Sequence, residues 1–319
     1  MKIALCCINS KYVHSSLAPW YLAAAMEGIE TCEVSVVEGT INQSVEEISQ
    51  KILHNSLEVA AFCCYIWNIG MVRQVIRRLK AQRPGLTVVL GGPEVTFRPA
   101  EILSQWPEVS YVLCGEGEES FPALMQALAE KRTPAGIPGL AARDEHGAVS
   151  LMPAQPLRAA PPDPYSQAYM ERLKGRIAYL ETSRGCPFSC SFCLSGVKEK
   201  VRFFEMERAK ENLVRLANSG AKTIKFIDRT FNCHPDRAYE LLSFILDQRG
   251  QTFPEDVCFH FEVGADLFQP RFLALLATAP PGLIQIEAGL QSFCETTLEA
   301  VDRKTDLTVL TENLRQCIR

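Results

Sequence analysis

The first 131 residues alternate between short apolar runs and longer stretches with helical periodicity. The apolar runs, which predict strands, cover residues 2–8, 34–37, 59–65, 87–90 and 109–114. The amphipathic stretches, which predict helices, cover residues 18–26, 44–54, 71–80, 99–105 and 121–131. Ser44 is expected to cap the second helix, with Glu46 and Glu47 in its first turn. Apolar strands that alternate with helices predict an α/β, flavodoxin-like (Rossmann-like) doubly wound parallel sheet.

Four loops of this predicted domain follow the carboxyl ends of strands, where doubly wound sheets bind ligands. They comprise residues 9–16, Ile66-Trp67-Asn68, Gly91-Gly92-Pro93-Glu94 and Gly115-Glu116-Gly117-Glu118. A tight turn explains each glycine on its own. Four such loops on one sheet edge together predict a ligand site.

A proline-rich segment separates the two halves of the chain. Residues 140–152 predict a β-hairpin, and the five prolines between residues 153 and 164 oppose helix and strand pairing. The predicted domains are therefore residues 1–135 and 171–319, with the hairpin and linker in residues 136–170.

The second half continues with strand–helix units. The predicted strands cover residues 177–182, 223–228, 257–263 and 283–289, and the helices cover residues 206–219, 237–249, 271–277 and 306–319. Repeated units of this kind predict a TIM-type (β/α) barrel, whose functional residues gather at the carboxyl ends of the strands. A full barrel takes about 250 residues, so four units predict a partial, truncated barrel.

Three cysteines, Cys186, Cys190 and Cys193, stand at a C-x3-C-x2-C spacing on the loop after the first of these strands. Soft thiolates suit an iron–sulfur cluster, and a cubane cluster with three protein ligands keeps one iron open to a substrate. Zinc is the alternative, and it would need a fourth ligand such as Cys233 or His234.

The overall composition limits the partners and the cellular compartment that this protein is expected to have. The chain has 319 residues, a formal net charge of -4 and 13 cysteines. The absence of a basic field argues against a nucleic-acid partner. The longest apolar run, residues 59–67, is about half of a membrane span. An odd cysteine count, after an opening that resembles a strand rather than a secretory signal, predicts a reducing cytoplasm.

The cysteine loop, with aromatic Phe192 before its last cysteine and a strand before the loop, resembles the radical S-adenosylmethionine (SAM) superfamily. The glycine loops of the first half resemble the cobalamin-binding domain fused to that superfamily's largest subgroup. The resemblance implies that Cys186, Cys190 and Cys193 hold a [4Fe-4S] cluster and that SAM binds its open iron. Residues implied to contact SAM are Phe192 at the adenine, Asp228 and Arg229 at the methionine moiety, Glu262 at the ribose, and Gln291.

The same resemblance implies a cobalamin site on the first domain. Its implied residues are His14, Trp67, Gly91, Gly92, Gly115, Glu116 and Gly117. The best-known cobalamin domains carry a D-x-H-x-x-G motif, but here the loop reads Tyr12-x-His14-x-x-Leu17. Because the orienting carboxylate is missing, we expect cobalamin to bind without a histidine ligand to cobalt.

The implied activity is reductive cleavage of SAM to a 5′-deoxyadenosyl radical, used for methylation of an unactivated centre. Expected partners are a small-molecule or peptide substrate of unknown identity and a reductant such as flavodoxin or ferredoxin. A radical cyclase or rearrangement enzyme, a methylthiotransferase, and a non-catalytic cobalamin or cluster sensor are the alternatives. A methylthiotransferase would need a second cluster, for which the candidate ligands are Cys6 or Cys7, Cys32, Cys63 or Cys64, and Cys114.

Overall fold

The computed structural model describes residues 1–53, 57–195 and 200–318 and divides into two compact units, Met1–Tyr169 and Met170–Arg319. The expected end of one helix, His54, lies outside the described residues. None of the described helices is both long enough and apolar enough to cross a membrane.

The first unit contains a seven-stranded sheet in the order β2-β1-β3-β4-β5-β6-β7. Its strands are β1 (Lys2–Asn9), β2 (Glu33–Thr40), β3 (Val59–Cys63), β4 (Thr87–Gly91), β5 (Tyr111–Leu113), β6 (Leu140–Arg143) and β7 (Val149–Leu151). The first five strands are parallel, and the last two are antiparallel. The predicted hairpin therefore belongs to this sheet, although the predicted domain boundary at residue 135 precedes it.

Helices cover both faces of this sheet. They are α1 (Ala18–Ala25), α2 (Val45–Leu53), α3 (Ile69–Gln82), α4 (Pro93–Thr96), α5 (Pro99–Gln105) and α6 (Ser120–Ala129). A further short helix, α7 (Gln167–Met170), spans the boundary between the two units. Alternate β1 side chains enter two separate cores: Cys6 packs on the side of α2 and α3, and Leu5 packs on the side of α6. The doubly wound prediction is confirmed.

The predicted cap of α2 is a capping box. The Ser44 backbone N–H donates to Glu47 Oε2 at 2.7 Å, and the Glu47 N–H donates to Ser44 Oγ at 3.2 Å. These bonds satisfy two amide groups at the start of the helix. The Ser44 backbone N–H and the Ser44 hydroxyl, which also donates to Glu47 Oε2 at 2.9 Å, lower the pKa of Glu47.

The second unit contains a four-stranded parallel sheet in the order β13-β12-β11-β8. Its strands are β8 (Ile177–Leu180), β11 (Thr223–Phe226), β12 (Cys258–Val263) and β13 (Ile284–Ala288), and a two-stranded ribbon joins β9 (Ser183–Arg184) to β10 (Arg202–Phe203). The helices are α8 (Met206–Ala217), α9 (Pro235–Gln248), α10 (Pro270–Leu276), α11 (Glu295–Ala300) and α12 (Leu307–Ile318). Each sheet strand lies beside the next one in sequence, as in a barrel wall. The ribbon and α11 are additions to the predicted elements.

Candidate functional site

The carboxyl edge of the first sheet exposes large apolar side chains. Five lie on the loops after β1, β3 and β4: Tyr12, Val13, Ile66, Trp67 and Phe97. Ile66 is 80% exposed and Tyr12 is 72% exposed. Single exposed apolar residues scattered over a surface need no explanation, whereas several on one sheet edge indicate a binding surface. The predicted cobalamin site includes this edge, and contact of these side chains with a corrin ring stays a prediction.

Asn68 fixes the geometry of two of these loops. Its buried amide nitrogen donates to the carbonyl oxygens of Ile8 and Cys63, both at 3.0 Å, and its Oδ1 accepts from the Tyr65 N–H at 2.8 Å. The Trp67 ring stacks on Tyr65 with ring centroids 4.4 Å apart. The predicted cobalamin residue Trp67 is thus held by a neighbour on its own loop while 47% of it stays exposed.

Backbone conformation and close packing account for some of the predicted glycines at this edge. Gly92 has φ +104°, and a Cβ there would lie 2.6 Å from the carbonyl oxygen of Cys64. A Cβ at Gly115 would lie 2.9 Å from the Ala154 side chain, and one at Gly117 would lie 2.9 Å from the Leu22 side chain. Backbone conformation and close packing thus explain Gly92 and also Gly115, which has φ +80°. At Gly117 the contact is with the end of the flexible Leu22 side chain, which can move, and a role of these glycines toward a ligand stays a prediction.

Three further predicted cobalamin residues have defined places. Gly91 ends β4, and its carbonyl accepts from the Cys64 N–H at 2.7 Å. His14 is half-buried, and its carbonyl accepts from the Asn9 side chain at 3.1 Å. Glu116 Oε2 accepts from the Leu157 N–H at 2.6 Å, so this carboxylate holds the linker. For Glu116 the structure thus shows a linker contact, and a contact with the ligand stays a prediction.

The cysteine loop begins where Asp228 ties β8 to β11. The carboxylate of Asp228 accepts from the Thr182 N–H at 3.0 Å, from the Thr182 hydroxyl at 2.7 Å and from the Ser183 hydroxyl. Asp228 is 2% exposed, and this burial raises the pKa of its carboxyl from 3.8 to about 6. These donors hold the carboxylate within the chain, and a contact between Asp228 and SAM stays a prediction.

A hydrogen-bonding group lies near each of the three cysteine sulfurs. The Thr230 hydroxyl is 3.5 Å from Cys186 Sγ, and the Ser195 N–H donates to Cys193 Sγ at 3.4 Å. An Arg303 guanidinium nitrogen is 4.0 Å from Cys190 Sγ. The Ser195 N–H and the Arg303 guanidinium are donors, and donors around sulfur stabilise thiolates and tune iron–sulfur clusters, so the loop fits a cluster. The Thr230 hydroxyl donates to the Arg229 carbonyl at 2.8 Å.

Within the described ranges, no three Cys, His, Asp or Glu side chains gather as ligands of a single metal ion. Among those residues the alternative, a tetrahedral zinc site completed by Cys233 or His234, is thus not preformed. A cubane cluster requires a different geometry, because each thiolate binds a different iron atom. The three sulfurs therefore lie further apart than the ligands of a single metal ion.

The other residues implied to contact SAM lie at the same sheet edge. Phe192 is 55% exposed on the cysteine loop, and Arg229 is exposed directly after Asp228. Gln291 is exposed and has φ +59°, in the left-handed region. Glu262 pairs with Lys225 Nζ at 2.9 Å. Their contacts with SAM stay predictions.

One face of the second sheet carries polar groups that the strand predictions left out. Lys225 also pairs with Glu287 at 3.2 Å, and His260 Nε2 lies 3.3 Å from the same carboxylate. Burial lowers the pKa of His260. The sequence signal for this polar face is the alternation of apolar and polar residues in Cys258–Val263, where buried residues flank His260 and Glu262. A strand buried on both faces would instead be apolar throughout.

Two family descriptions match consecutive parts of the chain. The B12 binding domain matches residues 3–125, and the radical SAM superfamily matches residues 180–319. The chain belongs to the radical SAM superfamily, in the subgroup with an N-terminal B12-binding domain.

Relatives of this radical SAM protein include two methyltransferases. It is 31% identical over 263 residues to 2-(S-pantetheinyl)-carbapenam-3-carboxylate methyltransferase of Streptantibioticus cattleyicolor, a match that covers 77% of this chain and 38% of the relative. It is 30% identical over 276 residues to the cobalamin-dependent radical SAM methyltransferase TokK of Streptomyces tokunonensis, covering 82% of this chain and 40% of the relative. The radical SAM chain thus spans about two fifths of the length of these relatives.

A solved structure has the same fold. The radical SAM methyltransferase TsrM from Kitasatospora setae, with cobalamin and a [4Fe-4S] cluster bound, aligns with a TM-score of 0.75 at 19% identity. The alignment covers 100% of this radical SAM chain and 65% of the TsrM chain. The fold prediction, a Rossmann-like sheet followed by a partial barrel, is confirmed.

Proposed function

We propose that this protein is a cobalamin-dependent radical SAM enzyme that methylates an unactivated centre. The observation that carries the proposal is the cysteine loop, in which a hydrogen-bonding group lies near each sulfur. When bound, the cluster and SAM supply radical chemistry, and cobalamin supplies a methyl carrier. The similarity to two methyltransferases favours methylation over cyclisation or rearrangement.

The residues of the chain serve this chemistry by binding and positioning. Cys186, Cys190 and Cys193 hold the cluster, while Asp228 fixes the start of their loop through Thr182. On the first unit, the exposed apolar edge that includes Ile66 and Trp67 offers the corrin ring a surface. A reductant such as flavodoxin or ferredoxin supplies the electron. The substrate, a small molecule or a peptide, is unassigned.

The methylthiotransferase alternative requires a second cluster that the first unit is poorly suited to hold. Its candidate ligands Cys63, Cys64 and Cys114 are buried at the ends of sheet strands. Burial raises the pKa of Cys63 to about 12 and that of Cys114 to about 11. Cluster ligands must be thiolates, and burial in an apolar core disfavours that form.

None of the 13 cysteines, all of which lie in the described residues, forms a disulfide. This state, together with a cluster whose iron must be reduced by one electron, leads us to propose the cytoplasm as the working compartment.

The test is anaerobic reconstitution of the full chain with iron, sulfide and cobalamin. We expect about four iron atoms per chain, a corrin absorption band, and 5′-deoxyadenosine after addition of SAM and a strong reductant. The Cys190→Ser variant should lose iron, whereas Cys294→Ser, which removes an exposed cysteine outside the loop, should keep it. About eight iron atoms would favour the methylthiotransferase, and an intact cluster that does not cleave SAM would favour the sensor.

A further inference from the structure

A short turn more than one hundred residues downstream contacts the cysteine loop at four consecutive positions. The turn consists of Val301, Asp302 and Arg303 and follows α11. The Ser191 N–H donates to the Val301 carbonyl at 3.0 Å, and the Ser189 hydroxyl donates to the Asp302 carboxylate.

Arg303 makes the other two contacts. Its guanidinium lies 3.9 Å from the centre of the Phe188 ring, and one of its nitrogens is 4.0 Å from Cys190 Sγ. Its Nε donates to the Thr305 hydroxyl at 3.0 Å, which fixes the direction of the side chain. Cys190 is 6% exposed, so a charge beside it is weakly screened by water.

The turn has the hydrogen bonds of a Schellman motif. The Asp302 N–H donates to the Glu299 carbonyl at 3.1 Å, and the Arg303 N–H donates to the Leu298 carbonyl at 2.9 Å. Asp302 has φ +52°, at a position where glycine is normally preferred. The left-handed conformation is strained for any residue other than glycine. The hydrogen bond that Asp302 accepts from Ser189 offsets this strain.

We propose that the turn 301–303 is a brace that fixes the cysteine loop and that Arg303 is a positioning residue which raises the reduction potential of the cluster. The inference rests on the proposed function, because it requires the cluster. A cubane core with three thiolates gains one negative charge on reduction. The neighbouring guanidinium stabilises the reduced form more than the oxidised form, and the electron comes from the external reductant.

The charge is tested with Arg303→Met and Arg303→Lys, with the midpoint potential of the reconstituted cluster followed by electron paramagnetic resonance. Arg303→Met should lower the ratio of reduced to oxidised cluster at least tenfold at a fixed potential, a shift of about 59 mV for one electron. Arg303→Lys should stay within threefold of the wild type. The control is Arg271→Met, which removes a charge paired with Asp236. An unchanged potential in Arg303→Met, or an equal shift in Arg303→Lys, would overturn the assignment. If Arg303→Met holds no iron, Arg303→Gln takes its place.

The brace itself is tested with Asp302→Gly. Glycine suits the left-handed turn, so the thermal stability of the apoprotein should be unchanged or higher. The loss of the Ser189 contact should still speed removal of iron by a chelator at least fivefold relative to the wild type. An unchanged rate of iron loss would show that the turn does not hold the loop. A wild-type chain that takes up no iron would refute the proposed function instead, so the two failures are distinguishable.

Discussion

The Asp228→Asn substitution tests the buried carboxylate that anchors the cysteine loop. Because burial raises the pKa of Asp228 from 3.8 to about 6, the folded state holds this proton more tightly than the unfolded state does. The stabilisation is therefore present below about pH 4 and is lost as the pH rises through about 6. A difference of about two pKa units corresponds to about 3 kcal/mol of unfolding free energy.

An asparagine can occupy the same place without losing the network. Its carbonyl oxygen accepts from the Thr182 N–H, and its NH₂ group donates to the hydroxyls of Thr182 and Ser183, because hydroxyls serve as either donors or acceptors. Asparagine does not ionise. The stability of Asp228→Asn relative to the wild type should therefore increase by about 3 kcal/mol between pH 4 and pH 7.

The assay must report on the second unit. All three tryptophans, at positions 20, 67 and 106, lie in the first unit, so their fluorescence does not follow this change. Hydrogen exchange of peptides from β8 and β11, measured by mass spectrometry between pH 4 and pH 7, gives the local opening free energy. The control is Asp256→Asn, an exposed aspartate paired with Lys222. A difference between Asp228→Asn and the wild type that does not vary with pH would refute the reasoning.

Two further substitutions test the carboxyl edge of the first sheet. Gly92→Ala places a Cβ 2.6 Å from the Cys64 carbonyl at φ +104° and should lower the melting temperature by several degrees, whereas Gly70→Ala, in open space within α3, should keep or raise it. Equal melting temperatures for the two variants would contradict the close-packing explanation. Glu116→Ala removes the acceptor of the Leu157 N–H and should speed limited proteolysis within residues 153–158 at least threefold. Unchanged cleavage would mean that other contacts hold the linker.

Local sequence patterns determined the fold class and the metal-binding loop. Apolar runs such as Val59–Cys63 specify strands buried on both faces, and the C-x3-C-x2-C spacing places the three cysteines on one short loop. The capping box at Ser44 and Glu47 is also local, since three residues of spacing bring its groups together on a first helical turn.

Only the tertiary structure decided what the polar side chains contact. The sequence places Asp228 at a strand end, but strand pairing supplies its donors at Thr182 and Ser183 and makes it an anchor of the cysteine loop. In the same way, only the structure shows that Glu116 accepts a hydrogen bond from the linker. The brace at Arg303 lies 113 residues from Cys190, and no local pattern encodes a contact across that separation. Strand and helix formation depends on neighbours a few residues apart, whereas a polar partner is set by the packing of distant elements.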